Sequence, residues 1–235
     1  MATFLLVHGA WHGGWCWQRV APLLRAAGHD VYTPTLTGLG ERAHLAHAGV
    51  DLALHVRDVV ALLEYERLVD AILVGHSYGG MVITGVAEQA AERLAHLVYL
   101  DAFVPRHGEA LWDLMPPERR AVFERLLAGS PVPWQVPPPD PAHWGLTAPE
   151  EQAWVAPRLC PQPLATLRQP LAAPAYRAAA LPRTYIRAAH YAGPFEVFAE
   201  RAQREPGWRY HAVPAGHDVM VTHPRELAAL LLALA

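Results

Sequence analysis

The 235-residue sequence contains no lysine, so all 19 of its basic residues are arginines. Any mechanism that needs a lysine ammonium is therefore excluded. The 22 acidic residues bring the net charge to −3, and this lack of a basic field argues against nucleic acid as a partner. Long apolar runs are also missing. No stretch could span a bilayer, so we expect no membrane partner either.

Cysteine is scarce, since Cys16 and Cys160 are the only two. Two cysteines do not make a disulfide framework, and the sequence therefore predicts a reducing, cytoplasmic location. The start, Met1 to Val7, lacks a charged region ahead of its apolar residues, so we interpret it as a first core strand and not as a signal peptide. A hydrophobic fraction of 52% is ample for one large α/β domain with a small insertion.

The most informative stretch is a strand, a sharp turn and a helix around Ser77. The apolar run Ala71 to Val74 leads into Gly75-His76-Ser77-Tyr78-Gly79, after which apolar residues return at helical spacing. In this G-x-S-x-G context the serine sits on a tight turn at a helix N-terminus, and side chains in place of the two glycines would collide with neighbouring backbone. The pattern predicts that Ser77 is a nucleophile. The alternative is an idle serine in a glycine-rich turn.

Strands and helices alternate along the rest of the chain. The predicted strands are Thr3 to His8, His29 to Thr33, Ala71 to Val74, Leu94 to Leu100, Arg183 to Ile186 and Trp208 to Val213. The predicted helices include Trp15 to Ala27, Asp51 (as N-cap) to Leu68, Phe195 to Arg204 and Pro224 to Ala235. This rhythm predicts an α/β fold, with a mostly parallel sheet of about six strands and helices on both faces. Ligands should bind beyond the carboxyl ends of the strands.

The composition changes between residues 105 and 182, which are rich in proline and hold four tryptophans. Helical patches occur between the prolines, and no strand signal is convincing. We therefore predict a mainly helical cap, 105–182, inserted into a core formed by 1–104 and 183–235. A loosely packed linker is the alternative, but disordered segments lack large aromatic side chains.

A serine needs a base, and His217 is the best candidate because it follows the last predicted strand in a glycine loop. His12, His190 and His223 are weaker alternatives. The third member of a triad must orient the imidazole, and Asp101 is predicted for this role. It directly follows the apolar fourth strand, where a carboxylate would be costly to bury without a partner.

Other carboxylates compete with Asp101. The loop after the fifth strand, 187–194, contains none, and Glu196 beyond it is the alternative acid; a Ser–His dyad is another. Asp218 adjoins His217, but neighbouring side chains in an extended loop diverge.

Ester chemistry also needs donors for an oxyanion. The turn offers the N–H of Tyr78, and the loop after the first strand offers that of Ala10 or Trp11. We expect the substrate to contact Trp11, His12, Trp112 and Trp134. Metal and organic cofactors are not implied.

Together these segments resemble the α/β-hydrolase superfamily, and more narrowly its small-cap branch of plant methylesterases and hydroxynitrile lyases with their bacterial esterase relatives. The matching segments are Leu6 to Trp17, Gly75 to Gly80, Tyr99 to Pro105, and Gly216-His217-Asp218. By this resemblance Ser77 is the nucleophile, His217 the base, and Ala10 and Tyr78 the oxyanion donors.

Two departures from the branch bear on function. Its usual acid position falls near His190 or Tyr191 here, whereas other members of the superfamily carry the acid after the preceding strand, where Asp101 lies. Some of its lyases use a threonine beside the oxyanion hole and a lysine; this chain has Ala10 at the first position and no lysine.

We therefore predict a serine carboxylesterase that cleaves a small, largely apolar ester through an acyl-enzyme. A C–C or cyanohydrin lyase and a non-catalytic binder on the same scaffold are the alternatives. A small-molecule ester is the expected partner, and a homodimer is left open.

Overall fold

A central parallel sheet organises the chain, which a computed structural model describes over all residues, Met1–Ala235. The strands are β1 (Thr3–Val7), β2 (Asp30–Tyr32), β3 (Ala71–His76), β4 (Leu94–Leu100), β5 (Gln135–Val136), β6 (Gln162–Pro163), β7 (Arg183–Ala188) and β8 (Trp208–Val213). Six of them form one sheet in the order β2-β1-β3-β4-β7-β8, and every pairing in it is parallel. The predicted α/β fold is confirmed.

Helices connect these strands. They are α1 (Ala21–Ala26), α2 (Leu52–Tyr65), α3 (Gly79–Ala90), α4 (Leu111–Leu114), α5 (Pro117–Ala128), α6 (Pro149–Val155), α7 (Leu164–Arg168), α8 (Glu196–Arg204), α9 (Val219–Thr222) and α10 (Pro224–Leu232). As predicted, Asp51 caps α2, because its side chain accepts a hydrogen bond from the N–H of Leu54. None of the helices is both long and apolar enough to traverse a bilayer.

The predicted helix from Trp15 to Ala27 is wrong as a single element. A short 3-10 turn spans Gly14–Trp17, and α1 begins separately at Ala21. Pro22 explains the break, because proline has no N–H to donate to a preceding turn but is well suited to the first turn of a new helix.

Residues 105–182 carry α4 to α7 together with one antiparallel ladder, in which Gln135 pairs with Pro163 and Val136 with Gln162. The sequence predicts no strand here. Two-residue strands are too short to show the alternation of apolar and polar residues from which a strand is recognised.

The strand order brings β3, β4 and β7 side by side. Since the strands are parallel, the residues that follow them emerge at the same edge of the sheet. Two of these residues have left-handed backbones, with φ of 55° at Ser77 and 41° at Asp101, and Trp11 after β1 has φ of 63°. Such conformations cost non-glycine residues roughly 1–3 kcal/mol each and concentrate at functional sites.

Candidate active site

Ser77 lies between β3 and α3 on a turn that only glycine neighbours permit. A Cβ on Gly75 would lie 2.6 Å from the carbonyl oxygen of Gly79, and a Cβ on Gly79 would lie 2.9 Å from that of Val7. These distances are far inside normal contact, so the turn could not close around larger residues. The turn leaves Ser77 facing a cavity that His217 also lines.

Asp101 and His217 meet although 116 residues separate them. The N–H of Asp101 donates to the carbonyl oxygen of Ile186 on β7 (2.7 Å), which fixes the backbone at the end of β4. Its carboxylate is fully buried, and Oδ2 lies 2.7 Å from His217 Nδ1. The neutral imidazole therefore carries its proton on Nδ1, and Nε2 is left as a proton acceptor.

Residues from two parts of the chain position His217. The rings of Tyr191 and Phe195 both stack on its imidazole, with centroid distances of 4.7 and 5.0 Å. The backbone N–H of His217 donates to the carbonyl oxygen of Trp144, at 2.7 Å, so the 105–182 segment also positions this loop. No hydrogen bond joins Ser77 Oγ to the ring; such bonds are often long before substrate binds.

A second histidine packs against the first. The rings of His76 and His217 have centroids 4.4 Å apart, and His76 Nε2 donates to the carbonyl oxygen of His217 at 3.1 Å. Burial lowers the pKa of His76 well below its usual value. It is therefore neutral and adds no positive charge beside His217.

Arg187, the penultimate residue of β7, lies beside Asp101 and is not among the site residues predicted from the sequence. Its Nη1 lies 2.5 Å from Asp101 Oδ1, and its Nη2 donates to the carbonyl oxygen of Tyr191 at 2.6 Å. Burial alone would lower the pKa of Arg187, but the carboxylate of Asp101 outweighs it and raises that pKa. The pair is almost inaccessible, with 7% of the Arg187 side chain and none of Asp101 exposed. The feature of the sequence that could have indicated this role is a charged residue near the end of an otherwise buried strand.

Glu196, the alternative acid, does not contact His217. Its side chain is 66% exposed, and its Oε2 is 3.4 Å from Arg187 Nε. The structure thus brings Asp101, and not Glu196, to His217. His190 and His223 lie outside the cavity as well.

Two backbone N–H groups beside Ser77 are free. Those of Ala10 and Tyr78 donate to no other protein group, and both residues line the cavity. The N–H of Trp11 instead donates to Gln162 Oε1, at 3.0 Å. Of the two residues considered for the loop after β1, only Ala10 therefore has an available donor.

The cavity is mostly apolar. Its volume, including the opening to solvent, is about 410 Å³. Besides Ser77, Tyr78, Ala10 and His217, it is lined by Trp11, Phe103, Leu111, Met115, Arg119, Phe123, Trp144, Leu167, Tyr191, Pro194 and Phe195. Six of these side chains are aromatic, which favours a flat, apolar ligand. No group of three or more His, Cys, Asp or Glu side chains could hold a metal ion.

Of the four predicted substrate contacts, only Trp11 lines this cavity. The prediction for His12 needs correction, because its ring is buried against Asp218, with Nε2 3.4 Å from Oδ2, while Nδ1 donates to the carbonyl oxygen of Ala10 at 2.7 Å. Burial lowers the pKa of His12, but Asp218 outweighs it and raises that pKa; His12 in turn lowers the pKa of Asp218 against the effect of burial. As expected, the side chain of Asp218 diverges from His217.

The predictions for Trp112 and Trp134 also fail for this cavity. Trp112 packs beneath the guanidinium of Arg168, whose Cζ lies 4.7 Å from the ring centroid. Trp134 precedes β5, and its carbonyl oxygen accepts from the N–H of Leu164 at 2.8 Å. Both side chains are half-buried in the packing of the 105–182 segment. Phe123 and Trp144 from that segment line the cavity instead.

Comparison with known proteins gives a consistent result. The model of the alpha/beta hydrolase family matches residues 4–230. A carbendazim hydrolyzing esterase from a Nocardioides species is 48% identical over 241 residues, covering 100% of both chains. An extracellular alpha/beta-hydrolase from a Paenibacillus species superposes with a TM-score of 0.88 at 27% identity, over 100% of this chain and 99% of that one. A methylesterase from Arabidopsis gives 0.81 at 25% identity, over 99% and 98%.

Proposed function

The chain belongs to the alpha/beta hydrolase family and is a carboxylic ester hydrolase, and from this premise we propose that it cleaves small aromatic esters through an acyl-enzyme on Ser77. The observation that carries the proposal is the 2.7 Å contact between Asp101 Oδ2 and His217 Nδ1, at the wall of the cavity that Ser77 faces. Because the buried carboxylate accepts the hydrogen bond of Nδ1–H, Nε2 is unprotonated in the neutral imidazole and can act as a general base.

In the proposed reaction, Ser77 Oγ attacks the ester carbonyl while His217 Nε2 takes the hydroxyl proton. The carbonyl oxygen becomes an oxyanion and accepts hydrogen bonds from the N–H groups of Ala10 and Tyr78. When the tetrahedral intermediate collapses, His217 returns the proton to the departing alcohol. A water molecule then gives a proton to His217 and attacks the acyl carbonyl. When this second tetrahedral intermediate collapses, His217 returns the proton to Ser77 Oγ, and the acid is released.

Asp101 does not exchange protons in this scheme. It holds the imidazole in one tautomer and stabilises the imidazolium that forms twice in each cycle. The rings of Tyr191 and Phe195, which stack on the same imidazole, limit its rotation further.

The proposed substrate class is supported by the aromatic lining of the cavity and by the relative that hydrolyses carbendazim. We propose carbendazim itself, a flat aromatic methyl carbamate, as a first substrate to test, with aromatic methyl esters beside it. We further propose that residues 105–182 act as the cap of the site, because they contribute Leu111, Met115, Phe123, Trp144 and Leu167 to its wall.

Ser77→Ala should lower kcat for p-nitrophenyl acetate by about four orders of magnitude or more, since no other group can form the acyl-enzyme. The chain has a single further serine, Ser130, so Ser130→Ala is a matched control that should keep full activity. A fluorophosphonate probe followed by peptide mass spectrometry should label Ser77 alone. Turnover by Ser77→Ala, or release of cyanide from mandelonitrile at a rate comparable to ester cleavage, would contradict the assignment.

We also propose a cytoplasmic location, for which the support is that Cys16 and Cys160 are unpaired. The similar Paenibacillus hydrolase is extracellular, so cell fractionation is the appropriate test. A homodimer stays a prediction, to be tested by size-exclusion chromatography with light scattering.

A further inference from the structure

An arginine without an acidic partner lines the otherwise apolar cavity. Arg119, on α5, donates from Nη2 to the hydroxyl of Tyr191 at 2.9 Å, and its Cζ lies 5.8 Å from the centre of that ring. No carboxylate lies within ion-pair distance of it, and its other N–H groups have no acceptor in the protein. A guanidinium carries five N–H donors, so most of this one is available to a ligand.

Arg119 lies where the cavity widens toward the surface. An outer chamber of about 1060 Å³ shares Trp11, Arg119, Phe123, Trp144 and Tyr191 with the inner cavity. These shared residues form the neck between the two spaces. A ligand that extends from Ser77 into the outer chamber therefore passes between these side chains, one of which is the guanidinium.

The acidic residue of the outer chamber forms no ion pair with Arg119. Asp140 lines that chamber, and its Oδ1 accepts a hydrogen bond from the N–H of Ala142 at 2.9 Å, as an N-cap does. His143 lies beside it in the same wall and carries no negative charge. The neck thus presents a cation that has no ion-pair partner and lies among aromatic rings.

The ring of Tyr191 contacts both Arg119 and the catalytic imidazole. Its centroid lies 4.7 Å from that of His217 and 5.8 Å from Arg119 Cζ. A substrate ring packed along Tyr191 would have one end at Ser77 and the opposite end at the guanidinium.

We propose, resting on the proposed esterase function, that Arg119 binds a carboxylate of the substrate, so that the preferred substrates are half-esters of flat aromatic dicarboxylic acids. The planar fork of a guanidinium matches a carboxylate with two parallel hydrogen bonds, and the apolar wall strengthens such a charge-assisted pair. The ester carbonyl then lies at Ser77, and the free carboxylate lies at the neck.

The test compares the monomethyl ester of terephthalic acid with its neutral analogue, in which a carboxamide replaces the free carboxylate. The wild-type protein should favour the acid by about ten- to a hundredfold in kcat/KM, the range of a charge-assisted contact. Arg119→Met should reduce that ratio to near one, whatever happens to the absolute rates, and Arg119→Lys should retain part of it. Arg125→Met, an exposed arginine on the same helix, controls for general charge attraction and should leave the ratio unchanged.

Binding without turnover gives a second measurement. Terephthalate should bind the Ser77→Ala variant in a calorimeter, and adding Arg119→Met should weaken it by a similar factor. A wild-type ratio at or below one, or a ratio that survives Arg119→Met, would overturn the proposal. If both terephthalate esters are inert while p-nitrophenyl acetate is cleaved at Ser77, this proposal fails and the esterase assignment stands; if Ser77 itself does not react, the proposed function fails first.

Discussion

Removal of the Arg187 guanidinium should destabilise the fold far more than loss of a surface charge. In Arg187→Met, the carboxylate of Asp101 stays fully buried, with only His217 Nδ1 (2.7 Å) and the N–H of Ala188 (3.2 Å) as partners. The buried negative charge then has no permanent cation beside it. Breaking one side of a buried ion pair typically costs about 3–5 kcal/mol, and we expect a loss of that size in the free energy of unfolding.

A double-mutant cycle separates this electrostatic cost from lost packing. Asp101→Asn removes the charge that Arg187 compensates, so the double variant should be more stable than the sum of the two single effects predicts. We expect a coupling of about 1–3 kcal/mol between the two positions, since they are in direct contact. The measurement is urea unfolding followed by tryptophan fluorescence, for which the chain has 8 tryptophans.

The control is Arg204→Met. Arg204 forms an exposed ion pair with Glu200 within α8, and its Nη2 lies 3.1 Å from Glu200 Oε2. This substitution should change the free energy of unfolding by no more than about 0.5 kcal/mol. Strict additivity of the Asp101 and Arg187 substitutions, or a loss below about 1 kcal/mol for Arg187→Met, would refute the reasoning.

Two further predictions address the acid and one buried histidine, His55. Asp101→Asn should lower kcat for p-nitrophenyl acetate by about a thousandfold or more through loss of the tautomer and of imidazolium stabilisation, while Glu196→Gln should stay within about twofold; the reverse order in steady-state assays would make Glu196 the acid. Burial lowers the pKa of His55 from 6.5 to about 4. Because the unfolded chain then binds a proton that the fold does not, stability should fall as the pH drops below about 6.5, and His55→Gln should remove about 2 kcal/mol of the difference between unfolding near neutrality and near pH 5. An unchanged difference would show that His55 is charged in the fold.

Much of the core could be predicted because the signals are local. The strands β1, β3 and β4 are largely apolar runs that end at a turn signal, and the cap of α2 is a single Asp next to the helix it starts. The turn around Ser77 depends on glycines only two residues away. Such patterns are complete within about ten residues of sequence, so their meaning does not depend on the rest of the fold.

The partners of Asp101 depend on strand order instead. The sequence places Asp101 at the end of β4, but Arg187 approaches it only because β7 pairs with β4 across the whole 105–182 segment. No local pattern specifies that adjacency. The same holds for the 105–182 segment. Its tryptophans can be read from the sequence, but long-range packing determines that Trp144, and not Trp112 or Trp134, lines the cavity.

The exchange of acid position and the presence of Arg187 are two aspects of one electrostatic arrangement. The loop after β7, where the related branch keeps its acid, here follows an arginine that is already paired with Asp101. A carboxylate in that loop would place a second negative charge around one buried imidazole and one guanidinium. With one carboxylate and one guanidinium, the buried cluster has no net charge while His217 is neutral. It carries a single positive charge when the imidazole accepts a proton. The acid that follows β4 and the cation near the end of β7 therefore have to be explained together, because a change of charge at either position alone would leave the other buried charge without its partner.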